Sequence, residues 1–187
     1  PIAQKIFYWH VPSAWAAMLA FLFLFIGSTA WFFKGKDWGW RLHVASSEAS
    51  LATGLMAVWS GCIWGAAEWG VPWDWTDIRL NTFAILTLLA LFLVLGRRTQ
   101  PDGVETRDTF ATFGMYGFVL VPITYIATRF WQIRHPGPVV ATNEGSLNSD
   151  MGLVLALGAI SFTMLVTGHI LSGMKLTKLE LRFEELQ

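Results

Sequence analysis

Polar and charged positions along this chain do not alternate with apolar ones. They gather into short bands that separate long apolar runs. Five runs are long enough to cross a hydrocarbon core, which takes roughly 17–25 helical residues: Val11–Phe33, Val44–Ile63, Leu80–Gly96, Thr109–Thr128 and Met151–Met174. Lipid offers no partner for backbone polar groups, so spans without period-two alternation are predicted as helices. Pro122 is expected to kink the fourth by removing one backbone hydrogen bond. Glu48, near the start of the second, is expected to pair with Arg41 or reach the interface. Gly152, Gly158, Gly168 and Gly173 are expected to let the fifth helix pack closely. Residues 175–187 repeat Leu and Phe at helical spacing, so this tail is expected to extend the last helix or dock a partner.

Composition agrees with the pattern. The 187 residues are 54% hydrophobic and 14% charged, against about a quarter charged in soluble domains. The expected fold is all-α: a polytopic membrane bundle of five spans over 1–174, followed by the tail. Formal net charge is zero, so no bulk field argues for nucleic acid. A single cysteine, Cys62, rules out an internal disulfide and any cysteine-based zinc or iron–sulfur site, and is expected to be a packing residue. No Gly-x-x-x-x-Gly-Lys-Ser/Thr is present for nucleotide. Charge sets the expected orientation. The bands after the first, third and fifth spans hold nine Lys/Arg; the opposite side holds Lys5, Arg79, Arg129 and Arg134. The richer side is expected to be cytoplasmic.

Three distant segments then share the external face: the edge carrying His10, the stretch 64–79, and the loop carrying His135. The middle one places Trp64, Trp69, Trp73 and Trp75 within twelve residues. Indoles populate membrane interfaces singly as aromatic belts; this density points instead to a platform for a large flat ligand. Imidazole is a common iron ligand. Aromatic surface with two histidines fits haem, and Arg79, Arg129 and Arg134 are candidates for its propionates. Asp77 is expected to cap the third helix. Asp77 and Arg79, two apart, are not expected to stack on one helix face. The bland readings are an interfacial His10 before Pro12 and an ordinary loop at Arg134-His135-Pro136-Gly137.

Three patterns together resemble the CcmC family, the haem-handling membrane subunit of cytochrome c maturation. They are Phe7-Tyr8-Trp9-His10-Val11-Pro12-Ser13-Ala14-Trp15, the tryptophan stretch, and Val121-Pro122-Ile123-Thr124-Tyr125 followed by Trp131 and His135. The second resembles the "WWD" signature of haem-handling proteins, with one residue inserted, so that Asp77 or Asp74 is the counterpart of the motif acid. The resemblance implies His10 and His135 as axial ligands of non-covalent haem b in a bacterial-type inner membrane. It implies six spans, the sixth before Pro1. It also implies delivery to a periplasmic haem chaperone, with an ABC-transporter pair and a small single-span subunit as partners. A carrier or transfer subunit is expected rather than a stand-alone enzyme.

Two rivals stand beside this reading. A CcsA-type cytochrome c synthase shares the signature and uses further histidines within the membrane. A membrane cytochrome b places histidine pairs across the bilayer. His43 and His169, both toward the cytoplasmic side, bear on each, either as ligands of a second haem or as an entry route. Local hydrogen bonding is the alternative for both.

Overall fold

The computed structural model describes the backbone of residues 2–130, 148–184 and 186, and side chains over 5–127, 148–183 and 186. Six helices follow in order: α1 Ile2–Lys34, α2 Asp37–Trp69, α3 Ile78–Thr99, α4 Val104–Gly117, α5 Leu120–Phe130 and α6 Ser149–Glu184. Five segments are long and apolar enough to cross a membrane, the fourth combining α4 with α5. No strand occurs among the described residues.

The helices outrun the apolar runs at both ends. α1 begins well before Val11, so His10 lies inside a helix and not at its edge. α2 continues to Trp69 and stops at Gly70, whose φ of 75° is left-handed and costs glycine nothing. Half of the expected tryptophan loop is therefore helical; only residues 70–77 form a loop. α6 runs unbroken past Met174 to Glu184, so the described tail residues continue that helix.

The fourth span breaks at Phe118–Val119, four residues before Pro122. Pro122 cannot donate to the Phe118 carbonyl, and its ring crowds that group. The carbonyl instead accepts from Val121 N at 3.1 Å, and Phe118 N turns back to Met115 O at 3.2 Å. The expected kink is thus a tight turn joining two helices. It lets Thr124, on α5, donate to Thr82 Oγ1 of α3 at 2.8 Å.

α1 and α2 form an antiparallel hairpin around Gly35, φ 55°. Their backbones nearly touch: a Cβ on Gly27 would lie 2.6 Å from His43 N, and one on Gly39 2.7 Å from Trp31 N. Close approach matters here because helices in lipid associate by dispersion and hydrogen bonding. In the last helix the glycine expectation holds at two positions of four. Gly158 faces Pro12 and Gly173 faces Ala45, whereas Gly152 and Gly168 meet nothing within 4 Å.

The core lies toward one end of the bundle, where Phe21, Leu24, Trp31, Trp40, Leu86, Leu93 and Phe110 pack together. Polar bonds fix which ends meet. Trp31 Nε1 donates to Asp108 at 3.0 Å. Arg97 binds Glu48 at 3.2 Å and reaches Glu180 at 3.9 Å, and Arg98 lies 3.8 Å from Glu48. Glu48 therefore pairs with α3 and not with Arg41: position 48 turns toward the end of the neighbouring helix. Large apolar side chains remain exposed all around the bundle, Trp59 at 74% and Met164 at 71% among them, as expected where lipid is the solvent.

Candidate functional site

At the end opposite this core, α1, α2, α3 and α5 enclose a cavity of about 270 Å³. Its walls include His10, Trp15, Trp64, Trp69, Trp73 and Arg79. Sequence distance between these groups is large. The α1–α2 hairpin brings His10 to the last turns of α2, and the loop after Gly70 folds Trp73 and Arg79 back over them.

His10 is held against α2. Its Nδ1 lies 3.0 Å from Ser60 Oγ. Gly61 makes room for the ring, since a Cβ there would stand 3.0 Å from Cε1. The tautomer follows from the hydroxyl's single proton. Ser60 Oγ lies 2.7 Å from Met56 O and 3.2 Å from Ala57 O, and both carbonyls can only accept. The hydroxyl proton goes to a carbonyl, so Oγ accepts from His10 Nδ1–H. That leaves Nε2 with the lone pair, the state a metal-binding imidazole needs.

An aromatic wall runs from His10 to Arg79. The Trp64 ring runs nearly parallel to His10, 13° between planes and 6.5 Å between centroids. Trp69 meets Trp64 edge-on at 5.1 Å, and Arg79 Cζ sits 6.0 Å from the Trp69 centroid. Trp73 packs on Trp75 at 5.8 Å, but Trp75 is 81% exposed and does not line the cavity.

Asp77 caps α3, accepting from Arg79 N at 2.9 Å and Leu80 N at 3.3 Å. Its second oxygen pairs with Arg79 Nη2 at 2.9 Å. Residues 77 and 79 do not share a helix face, as expected, yet their side chains meet by another route. Asp77 is extended (φ −83°, ψ 106°), so its carboxylate is off the helical lattice and folds over the first turn. Asp74 instead builds the turn before it, accepting from Thr76 N at 2.9 Å and Thr76 Oγ1 at 2.7 Å.

Two donors in this cavity are buried without an acceptor among the described residues: Arg79 Nη1 and Trp73 Nε1. Buried polar groups are nearly always paired, so these two donors stand out. Among the described residues no group of three or more His, Cys, Asp or Glu could hold a bare metal ion.

His135 and Arg134 lie outside the described residues, as does the side chain of Arg129. The remaining histidines are far apart in character. His43 is 2% exposed, stacked on Trp40 at 4.9 Å and bonded through Nδ1 to Ser28 of α1 at 2.8 Å. Its hydrogen bond is thus to a neighbouring helix. His169 is exposed on α6. Ser60 and Gly61 are site residues that the sequence did not single out; small side chains at helix crossings carry no local signal.

Residues 2–187 match the CcmC family, described as "Heme exporter protein C". The chain is 29% identical to heme exporter protein C of Bradyrhizobium diazoefficiens, over 98% of this chain and 70% of that protein. It is 27% identical to that of Rhodobacter capsulatus, over 98% and 75%. It is also 25% identical to a putative cytochrome c biosynthesis ccmC-like mitochondrial protein of Marchantia polymorpha, over 86% and 68%.

Proposed function

The chain belongs to the heme exporter protein C family, which handles haem for cytochrome c biogenesis, and from that premise we propose that the aromatic cavity is its haem site. His10 Nε2 is the iron ligand on one face, and His135 supplies the other. Trp64, Trp69 and Trp73 contact the porphyrin. Arg79 Nη1 and Trp73 Nε1 bind a propionate, with Asp77 holding the guanidinium in place as the motif acid; Arg129 and Arg134 serve the second propionate. Haem is bound non-covalently as haem b, at the external face of the membrane.

The observation that carries this reading is the convergence of one oriented imidazole and two unsatisfied donors in a single aromatic cavity. The Trp73 indole N–H and the Arg79 Nη1 group both lack an acceptor among the described residues, and a carboxylate on a flat apolar ligand would meet both needs. Enclosed small-molecule sites run to roughly 300–1,000 Å³. At about 270 Å³ the described part of this cavity would hold an edge of the macrocycle rather than enclose it. That suits a carrier, which must present its cargo to another protein: here a haem chaperone, alongside ABC-transporter subunits and a small single-span subunit. The packing around His43 argues against an intramembrane histidine pair of the synthase or cytochrome b kind.

The test is the absorption spectrum and haem content of the purified protein co-expressed with its maturation partners. His10→Ala and His135→Ala should each lose haem, and His43→Ala/His169→Ala should retain it. Haem that survives both external substitutions and disappears with the internal pair would overturn the site.

A further inference from the structure

At the arginine-rich end of the bundle, far from the haem cavity, α2, α4 and α6 border a second pocket of about 530 Å³. Arg41, Arg107, Lys178 and Arg182 line it, against two acids, Asp37 and Asp102. Arg107 is committed. It donates to Asp102 through Nε at 2.8 Å and through Nη2, and its guanidinium lies 5.1 and 5.5 Å from the Trp31 and Trp40 rings. It therefore forms a fixed floor. Arg41, Lys178 and Arg182 have no ion pair among the described residues. Three cations from two helices held around one concavity repel each other and focus a positive field into it.

The α6 face leading to this pocket explains what fills it. Met164, Gly168 and Leu171 stand on one helical stripe, followed by Lys175, Lys178 and Arg182. The first three are open to the surroundings, and the stripe changes from apolar to basic where the apolar run ends. An amphiphile with a hydrocarbon chain and an anionic head matches that order, and basic pockets between membrane helices are known headgroup sites. We propose that this pocket holds the phosphate of an anionic phospholipid, with Arg41, Lys178 and Arg182 as its ligands and an acyl chain along Leu171 and Met164. The site is independent of the haem reading.

Purified protein, delipidated in detergent and reloaded from vesicles of phosphatidylglycerol or of phosphatidylcholine, is weighed intact by native mass spectrometry. The parent should retain phosphatidylglycerol preferentially. Each cation removed in the series Arg41→Gln, Lys178→Gln, Arg182→Gln should lower retention about fivefold, the effect of roughly 1 kcal/mol per charge near a membrane surface. Arg41→Lys/Arg182→Lys should keep most of it, which separates lost charge from lost fold. Equal retention of the two lipids, or unchanged retention in the triple variant, overturns the proposal. A pocket that binds inorganic phosphate, and releases lipid to it at millimolar concentration, would overturn the lipid as the source.

Discussion

Ser60→Ala tests the oriented imidazole directly. Ser60 is small and nearly buried, and its hydroxyl does two things: it returns its proton to the α2 backbone and accepts from His10 Nδ1–H. Alanine removes the acceptor with little change in volume. Helix stability should barely move, since interhelical hydrogen bonds in membranes average about 0.6 kcal/mol. Haem affinity should move more. Without a fixed acceptor the two tautomers become comparable, which alone costs roughly twofold. Loss of ring orientation adds to this, and outer-shell partners of metal-binding histidines are worth about 10- to 100-fold in affinity, or about 1.4–2.8 kcal/mol. Haem titration of the purified apoprotein, followed by the Soret band, reads the effect. Ser60→Thr keeps the hydroxyl and should stay near the parent. Affinity of Ser60→Ala within twofold of the parent, in a protein where His10→Ala abolishes binding, would refute the tautomer argument.

Arg79→Gln should weaken haem binding roughly 10- to 100-fold, as expected for a lost charge-assisted hydrogen bond; haem dimethyl ester should bind the parent and this variant alike, and a persisting difference would show that no propionate is involved. Gly114→Ala should lower thermal stability by about 1–3 kcal/mol through overpacking, because the new methyl would overlap Ser28 Oγ and press His43; Gly168→Ala, with open space around it, is the matched control, and equal effects of the two would contradict the packing described. The Arg107 side-chain hydrogen bond holds the Asp102 carboxyl below the usual carboxylate range. Its stabilisation is therefore complete above the ordinary aspartate value, about 3.9, and is lost as pH falls through the lower folded value. Thermal melts across that acid range should show Asp102→Asn starting lower and changing less than the parent.

Spans, helical class and the tryptophan stretch were legible along the chain because each depends on local composition. A run such as Met151–Met174 must be helical in lipid whatever surrounds it. Helix ends were less legible: α1 and α2 extend beyond the apolar runs, since hydrogen bonding continues wherever residues tolerate it, up to Gly35 and Gly70. The cap at Asp77 was legible, but its ion pair with Arg79 was not, because helical spacing does not apply to a capping residue. Glu48 was misassigned because its partner, Arg97, stands 49 positions away in sequence.

By itself, then, the sequence determined what depends on solvent and on neighbours along the chain: five helical segments long and apolar enough to cross a membrane, the breaking proline, and the dense run of indoles. Tertiary structure alone decided what depends on crossing geometry. It turned Trp75 outward while three other indoles came to line one cavity with His10, gave that histidine its tautomer through a serine fifty residues away, and left two donors facing that cavity. Side chains report their chemistry one by one, but hydrogen-bond reach is a few ångströms, and only the packed helices bring distant residues within it.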